Sequence, residues 1–178
     1  MKVRRVNLEL KSKYPIMQVV GEIEADVYDT DRIKFAPGDV VIDIGAHVGA
    51  FSCYMAEAHP QTVIKAFEPV PETYMELLGN TAKYENIEIF NLAVDVADEV
   101  AIQHRPHYGY CSSSYYGFSI DDAEIISCPA VSLDKILEKY PRVKLLKMDC
   151  EGAEWDLLLN SKLLGKVEYM SLELHMLP

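Results

Sequence analysis

Positive charge is scarce in this chain. Lys and Arg number 17 against 28 Asp and Glu, a formal net charge of −11 over 178 residues. Beyond KVRR at residues 2–5 there is no basic run. Nonspecific nucleic-acid binding draws most of its affinity from cationic contacts to phosphate, so nucleic acid is not an expected partner. Cysteine is sparse as well. Cys53, Cys111, Cys128 and Cys150 include no pair at CxxC spacing, which argues against a zinc ribbon or a dithiol redox motif and fits a reducing compartment. No apolar run approaches the roughly 20 residues of a membrane span. The opening MKVRRVNLELKSKYP has positive charge but no apolar core of signal-peptide length. A cytoplasmic location is therefore expected, with no membrane association.

What is present is ordinary globular material: 49% apolar and 25% charged residues, enough for one domain with a full core. Short runs rich in Val and Ile occur at Val40–Ile44, Val63–Phe67, Ile87–Leu92, Val143–Met148 and Val167–Leu174. They barely alternate with polar residues and read as buried strands. Between them, Phe51, Tyr54, Met55 and Ala58 fall at i, i+3, i+4, i+7, as do Tyr74, Leu77, Leu78 and Thr81. Leu133, Ile136, Leu137 and Tyr140 repeat the pattern, with Ser132 as N-cap and Pro141 as a stop. Trp155, Leu158 and Leu159 start a fourth helix that Gly165 could close. Strands alternating with helices predict an α/β fold with a parallel-dominated sheet and helices on both faces. The rhythm breaks over residues 95–131. There a Tyr-, Ser- and Gly-rich loop lies between two short strands, Val100–Gln103 and Ile125–Val131, and long loops in compact domains tend to be functional.

In a doubly wound sheet, ligands bind beyond the carboxyl ends of the strands. The stretch VVIDIGAHVGAF, Val40–Phe51, sets Asp43-Ile44-Gly45 at such an end, and Gly49 opens the next helix. Glycine lets the backbone turn sharply and approach a ligand closely. Glu68 ends the second strand, about 20 residues past the glycine turn, where an acid can accept hydrogen bonds from ribose hydroxyls. The ligand therefore contains a nucleoside. A pyrophosphate cradle normally has three glycines, and this one lacks the third. An acid such as Asp43 ahead of the turn repels phosphate and suits an ammonium group. S-adenosylmethionine (SAM) carries ribose, adenine, an amino acid and a sulfonium, and no phosphate. The local chemistry favours SAM over NAD.

The motifs resemble those of the FkbM family of SAM-dependent methyltransferases. VIDIGAHVGAFS resembles its first motif and VIKAFEPVPETYMELLGN its second. IFNLAV resembles the segment after strand three. VSLDKIL followed by VKLLKMDCEGAEWDLLL resembles its Lys-x-Asp-x-Glu-Gly-x-Glu signature. The resemblance covers Gly38 to His175 and implies a Rossmann-like class I methyltransferase fold, with residues 38–178 as the SAM-binding domain and 1–37 as an N-terminal cover segment. It implies that Asp43, Gly45, Ala46, His47 and Gly49 line the methionine end of SAM. Glu68 would hold the ribose, and Asn91, Leu92, Ala93 and Val94 would border the adenine. Phe51, Pro69 and Asp149 complete the cofactor-binding set. Members of the class usually continue past strand five with a helix and an antiparallel hairpin, whereas this chain stops at SLELHMLP. A missing hairpin leaves a sheet edge to cover, so dimerisation or truncation is expected.

Methyl transfer is an in-line displacement that needs alignment of donor and acceptor, and an alcohol acceptor must also lose its proton. The catalytic candidates sit at strand ends: Lys147, Asp149 and Glu151 after strand four, and His175 after strand five. Lys147 could instead pair structurally with Glu151 or Glu173, and Glu154 could be a helix-start acid. His104 and His107 are two ligands at most, so no metal site is expected. Tyr108, Tyr110, Tyr115, Tyr116 and Phe118 around Ser112–Ser114 suit a sugar or planar acceptor, or pack on themselves. Cys111 and Cys150 read as buried thiols, and Trp155 as core. The function expected is O-methylation of a hydroxyl on a small molecule or glycan. The alternatives are a non-catalytic SAM-binding module and an RNA or protein methyltransferase. A nicotinamide-dependent oxidoreductase is opposed by the missing third glycine.

Overall fold

The structure, a computed structural model, describes residues 8–13, 16–104 and 123–175. The aromatic and serine-rich residues Tyr108 to Phe118, with His107 and Cys111, lie outside the described residues. Eight strands are present: β1 (Val40–Ile44), β2 (Val63–Phe67), β3 (Ile87–Phe90), β4 (Ala93–Val94), β5 (Glu99–His104), β6 (Glu124–Val131), β7 (Val143–Met148) and β8 (Val167–Leu172). Five helices accompany them: α1 (Met17–Glu24), α2 (Ala50–Ala58), α3 (Pro71–Thr81), α4 (Leu133–Leu137) and α5 (Glu154–Asn160).

The main sheet is parallel throughout, in the order β3-β2-β1-β7-β8. The chain winds outward from β1 to β3, then returns to lay β7 beside β1. This reversal opens a crevice between the carboxyl ends of β1 and β7, where doubly wound sheets bind ligands. Alternation sorts the side chains of each strand between two layers. Ile42, Ile44, Leu146 and Met148 pack with Leu133, Ile136 and Leu137 of α4 and Leu157 of α5. Val41, Ile64 and Leu145 pack with Phe51 and Met55 of α2, and Ala66 packs with Leu77 of α3. Both faces are thus covered, as the unbroken apolar runs require. A smaller sheet, β4-β6-β5, follows β3, with β4 parallel and β5 antiparallel to β6. Its apolar residues Ala93, Val100, Ile102 and Cys128 meet Val70 beneath the main sheet's second turn.

Several boundaries differ from the sequence reading. The third strand ends at Phe90, not Leu92, and the fifth at Leu172, not Leu174. The helix after Ser132 is one short turn and a half, capped by the Ser132 hydroxyl accepting from Lys135 N–H at 3.3 Å. The fourth helix closes at Asn160, and Gly165 sits in a 3₁₀ turn at Leu164–Lys166. Trp155 is half-buried, not core. β8 pairs with β7 on one side, no described strand pairs with its other side, and Glu168, Tyr169 and Met170 are exposed. No helix of the described residues is long and apolar enough to cross a membrane.

The two glycines of the first motif answer different demands. Gly45 has φ 74, and a Cβ there would fall inside the contact radius of the Asp149 carbonyl oxygen. Gly49 has φ 88, and a Cβ would lie 2.6 Å from Leu77 Cδ1 on α3. The first lets the ends of β1 and β7 touch, and the second lets α2 pack on α3. Gly45→Ala combines left-handed strain with overpacking against backbone, each costing about 1–3 kcal/mol. Chemical denaturation should show a stability loss of at least about 2 kcal/mol on those figures, and more than Gly49→Ala, where a side chain can yield.

Candidate active site

The carboxyl ends of β1, β2 and β7 border a cavity of about 130 Å³. One wall is the first turn, with Gly45, Ala46 and His47, continued by Phe51 of α2. Glu68, Pro69 and Val70 follow β2, and Leu92, Ala93 and Val94 form the far side. Beside the glycine turn stand Lys147, Asp149 and Glu151 at the end of β7. The walls are mostly apolar with a few convergent polar groups, the usual make-up of a small-molecule site.

Glu68 is buried at 6% exposure. Its Oε2 accepts from His47 N–H and its Oε1 from Val70 N–H, both at 2.9 Å. His47 takes part through its backbone, at φ 52. Burial pushes the Glu68 carboxyl up to about 7, against the lowering effect of those two N–H donors and of Lys147. A carboxyl raised in this way stabilises the fold fully below its ordinary value and loses that contribution as pH rises through about 7. A ligand that donates hydrogen bonds to the ionised carboxylate reverses the penalty. Each oxygen keeps a lone pair for such a donor. Asn91 does not reach the cavity. Its Nδ2 donates to the carbonyls of Glu68 and Pro69 at 2.9 Å each, and so locks the turn that carries Glu68.

Asp43 also lies off the cavity wall. It is fully buried. Its Oδ2 accepts from Ser52 Oγ at 2.7 Å, and its Oδ1 lies 3.2 Å from Lys147 Nζ. The sequence reading set the Asp43 charge against the ligand. The structure turns it inward, because alternation along β1 gives Asp43 the α2-facing side that Val41 also takes. Its value as a discriminator between SAM and NAD goes with that. Lys147 pairs with Asp43 and, at 3.9 Å, with Asp149, not with Glu151 or Glu173. Burial alone would lower the Lys147 ammonium, but Asp43, Asp149 and Tyr28 outweigh it and hold it above its ordinary value. A lysine held in this way ties the ends of β1 and β7 together as a cation.

Beyond β7 the chain reverses tightly, with Glu151 at φ 55 and Gly152 at φ 119. Burial raises the Asp149 carboxyl, opposed by Lys147 and His175. Burial likewise pushes Glu151 up to about 7, opposed by His175. His175 lies 3.3 Å from Glu151 Oε2 through Nε2 and 3.2 Å from Glu154 Oε1 through Nδ1. Burial draws the imidazole down, but the two glutamates outweigh it and raise it. His175 borders the cluster without lining the cavity. Glu154 is more than a helix-start acid: fully buried, it accepts from Cys150 N–H at 2.9 Å and Gly152 N–H at 3.1 Å and so holds the turn. Burial pushes the Cys150 thiol well up, consistent with an inert sulfur.

Two contributions escape the motifs. Val19 of α1 and Tyr28 line the cavity from the N-terminal segment, and Asp95 and Val100 line it from the smaller sheet. Tyr28 stacks obliquely on Phe51 at 4.9 Å between ring centres. No local sequence signal marks Tyr28, because its partner is far along the chain. Lys147→Met should leave Asp43 buried without its cation, at a cost of about 3–5 kcal/mol in denaturant unfolding. The double variant Asp43→Asn, Lys147→Met should recover much of that loss, since no charge is then orphaned.

Sequence and structure comparisons relate this chain to known proteins. The profile of the methyltransferase FkbM domain matches residues 43–178. AMB antimetabolite synthetase AmbE of Pseudomonas aeruginosa is 30% identical over 198 residues, covering 88% of this chain and 9% of that protein. 31-O-demethyl-FK506 methyltransferase FkbM of Streptomyces tacrolimicus is 30% identical over 76 residues, covering 43% of this chain and 29% of that one. Methyltransferase 1 of Beauveria bassiana is 27% identical over 156 residues, covering 72% and 60%. The chain thus spans less than two-thirds of each of these relatives. A solved structure of precorrin-6y C5,15-methyltransferase from Geobacter metallireducens GS-15 aligns with 90% of this chain and 62% of that one at TM-score 0.49 and 13% identity. The profile runs from the turn after β1 through the acids after β7, the segments that build the cavity, and the chain belongs to the FkbM methyltransferase family.

Proposed function

We propose that this chain transfers the methyl group of SAM to a hydroxyl oxygen on a small molecule or glycan. The observation that carries the reading is the pairing of two unlike walls on one cleft. Glu68 and the Gly45 turn make one wall, and Asp149 and Glu151, packed directly against Gly45 at the end of β7, make the next. The first wall suits adenosine: Glu68 accepts from the ribose hydroxyls, and Leu92, Ala93 and Val94 give an apolar surface for adenine. The turn at Gly45–His47 lets the amino-acid end of the donor approach backbone. The second wall faces the acceptor. As the acceptor oxygen attacks, its O–H bond breaks and the proton leaves towards the acids after β7. The new C–O bond forms as the methyl–sulfur bond breaks, and its electron pair stays on sulfur as a neutral thioether. The chain's own part is alignment and removal of a proton. Support for a hydroxyl acceptor comes from the name of one relative, a 31-O-demethyl-FK506 methyltransferase.

Calorimetric titration tests the reading. SAM and S-adenosylhomocysteine should bind, NAD should not, and Glu68→Gln should weaken both adenosyl ligands by at least about tenfold, the loss of a charge-assisted hydrogen bond. No binding of either adenosyl ligand would overturn the proposal. The pH dependence follows from Glu68. Its carboxyl is protonated in the free protein below about 7, and donors to the ionised form must first expel that proton. Affinity for S-adenosylhomocysteine should therefore fall as pH drops below about 7, approaching tenfold per pH unit, and Glu68→Gln should flatten that slope.

A further inference from the structure

We infer that Asp149, Glu151 and His175 form a divalent-cation site of two carboxylates and one imidazole, suited to Mn²⁺, on the acceptor side of the cleft. One ligand atom from each of the three lies within 4.8 Å of the others. Ligands on one face of an octahedral ion, at about 2.1–2.2 Å from it, stand about 3 Å apart, so the three side chains would draw together on an ion and leave the remaining positions open to water or a substrate oxygen. A set of two carboxylates and one imidazole matches a metal between the hard oxygen binders and the softer imidazole binders.

The three residues meet because of strand register. Met148 pairs with Leu172, and Glu173 N–H bonds to the Met148 carbonyl at 2.9 Å. The ends of β7 and β8 therefore run side by side, and the turn after β7 comes level with His175. A second observation concerns the group behind the imidazole. The fully buried Glu154 faces His175 Nδ1 at 3.2 Å. A carboxylate at Nδ1 fixes the proton on that nitrogen and leaves Nε2 as the ligating atom. This carboxylate–histidine arrangement orients metal-bound imidazoles. Nε2 points towards Glu151. Asp149, Glu151 and Glu154 crowd one imidazole, with Glu173 adding a further negative charge near Asp149. Among the described residues, Lys147 reaches Asp149 at 3.9 Å while it is held more closely by Asp43 and by the Gly45 carbonyl at 2.8 Å.

The sequence reading expected no metal, since it looked for paired histidines and found only His104 and His107. Here the third ligand is brought in by the whole crossover from β7 to β8. The site's role in chemistry rests on the methyl-transfer reading. The ion would bind the acceptor oxygen and lower its pKa. The hydroxyl proton then passes to the carboxylate oxygen left uncoordinated, and the oxygen attacks the methyl group.

The competing description is an imidazolium held between Glu151 and Glu154 with no ion. Electron paramagnetic resonance of Mn²⁺ titrated into the purified chain separates the two. The free-ion signal should disappear with one ion bound per chain at a dissociation constant below about 10⁻⁴ M. Asp149→Asn and His175→Gln should each weaken binding at least about tenfold, as should Glu154→Gln through the orientation of His175. Trp155, the chain's single tryptophan, donates from Nε1 to the His175 carbonyl at 2.9 Å, so its fluorescence should change with the same midpoint. Pulsed resonance on the unsubstituted chain should detect imidazole nitrogen coupled to the bound ion, a readout that needs no variant to fold. No loss of free signal at millimolar Mn²⁺, no nitrogen coupling, or equal binding by well-folded Asp149→Asn and His175→Gln would overturn the site. S-adenosylhomocysteine binding is measured on the same sample. If that ligand binds and Mn²⁺ does not, this inference fails alone. If Mn²⁺ binds and the ligand does not, the site stands and the methyl-donor reading fails.

Discussion

The crevice is organised around one buried ion pair, Asp43 with Lys147. These residues are direct register partners on adjacent parallel strands, so their side chains leave the sheet together on the α2 side. Removing two charges from water is costly, and attraction offsets that only when the remaining hydrogen-bonding positions are also filled. Here they are. Ser52 satisfies one Asp43 oxygen, and the Lys147 ammonium donates to the Gly45 carbonyl. The pair therefore ties the end of β1, the start of α2 and the end of β7 at one point. That point lies directly beneath the cavity, at the position where the strand order reverses.

From this anchor the site is built outward by backbone contacts. The turn after β1 offers His47 N–H to Glu68, and the turn after β2 offers Val70 N–H to the same carboxylate. Asn91 then holds that second turn from the end of β3. Three successive strand ends are thus linked through one acid and one amide. The smaller sheet closes the far side. Cys128 lies 3.4 Å from the Pro69 carbonyl, so the motif that holds Glu68 is also the surface on which β6 rests.

The central strands were legible because burial on both faces leaves unbroken apolar runs, and Val143–Met148 is buried at every position. The edge strands were less so. β3 and β8 are half-exposed and shade into their turns, which is where the boundaries slipped. α1 was invisible because only Ile23 of its eight residues is buried, too little to make a stripe. The motif residues Gly45, Ala46, His47, Phe51 and Glu68 all reached the cavity, as did Leu92, Ala93 and Val94. Asp43 did not. Its period-2 position relative to Val41 could have signalled this, and the attraction of an acid beside a glycine turn masked it. Asn91 and Gly49 serve the cavity through what they hold, a distinction that spacing alone does not carry. The convergence of His175 on Asp149 depends on the register of two strands separated by a helix, and no local pattern encodes that.

Gly45 has a bearing on how this scaffold can be altered. With no room for even a methyl group between it and the Asp149 carbonyl, the turn after β1 and the turn after β7 press backbone on backbone. Neither can shift without moving the other, so they behave as a single stiff jaw. A ligand of different size cannot be accommodated by easing these two turns apart. The surfaces left to adapt are those outside this backbone contact: the N-terminal segment that brings Tyr28 and Val19, and the smaller sheet with the residue after β4, which bring Val100 and Asp95. The fold thereby separates the part that must keep its shape from the parts that are free to change it.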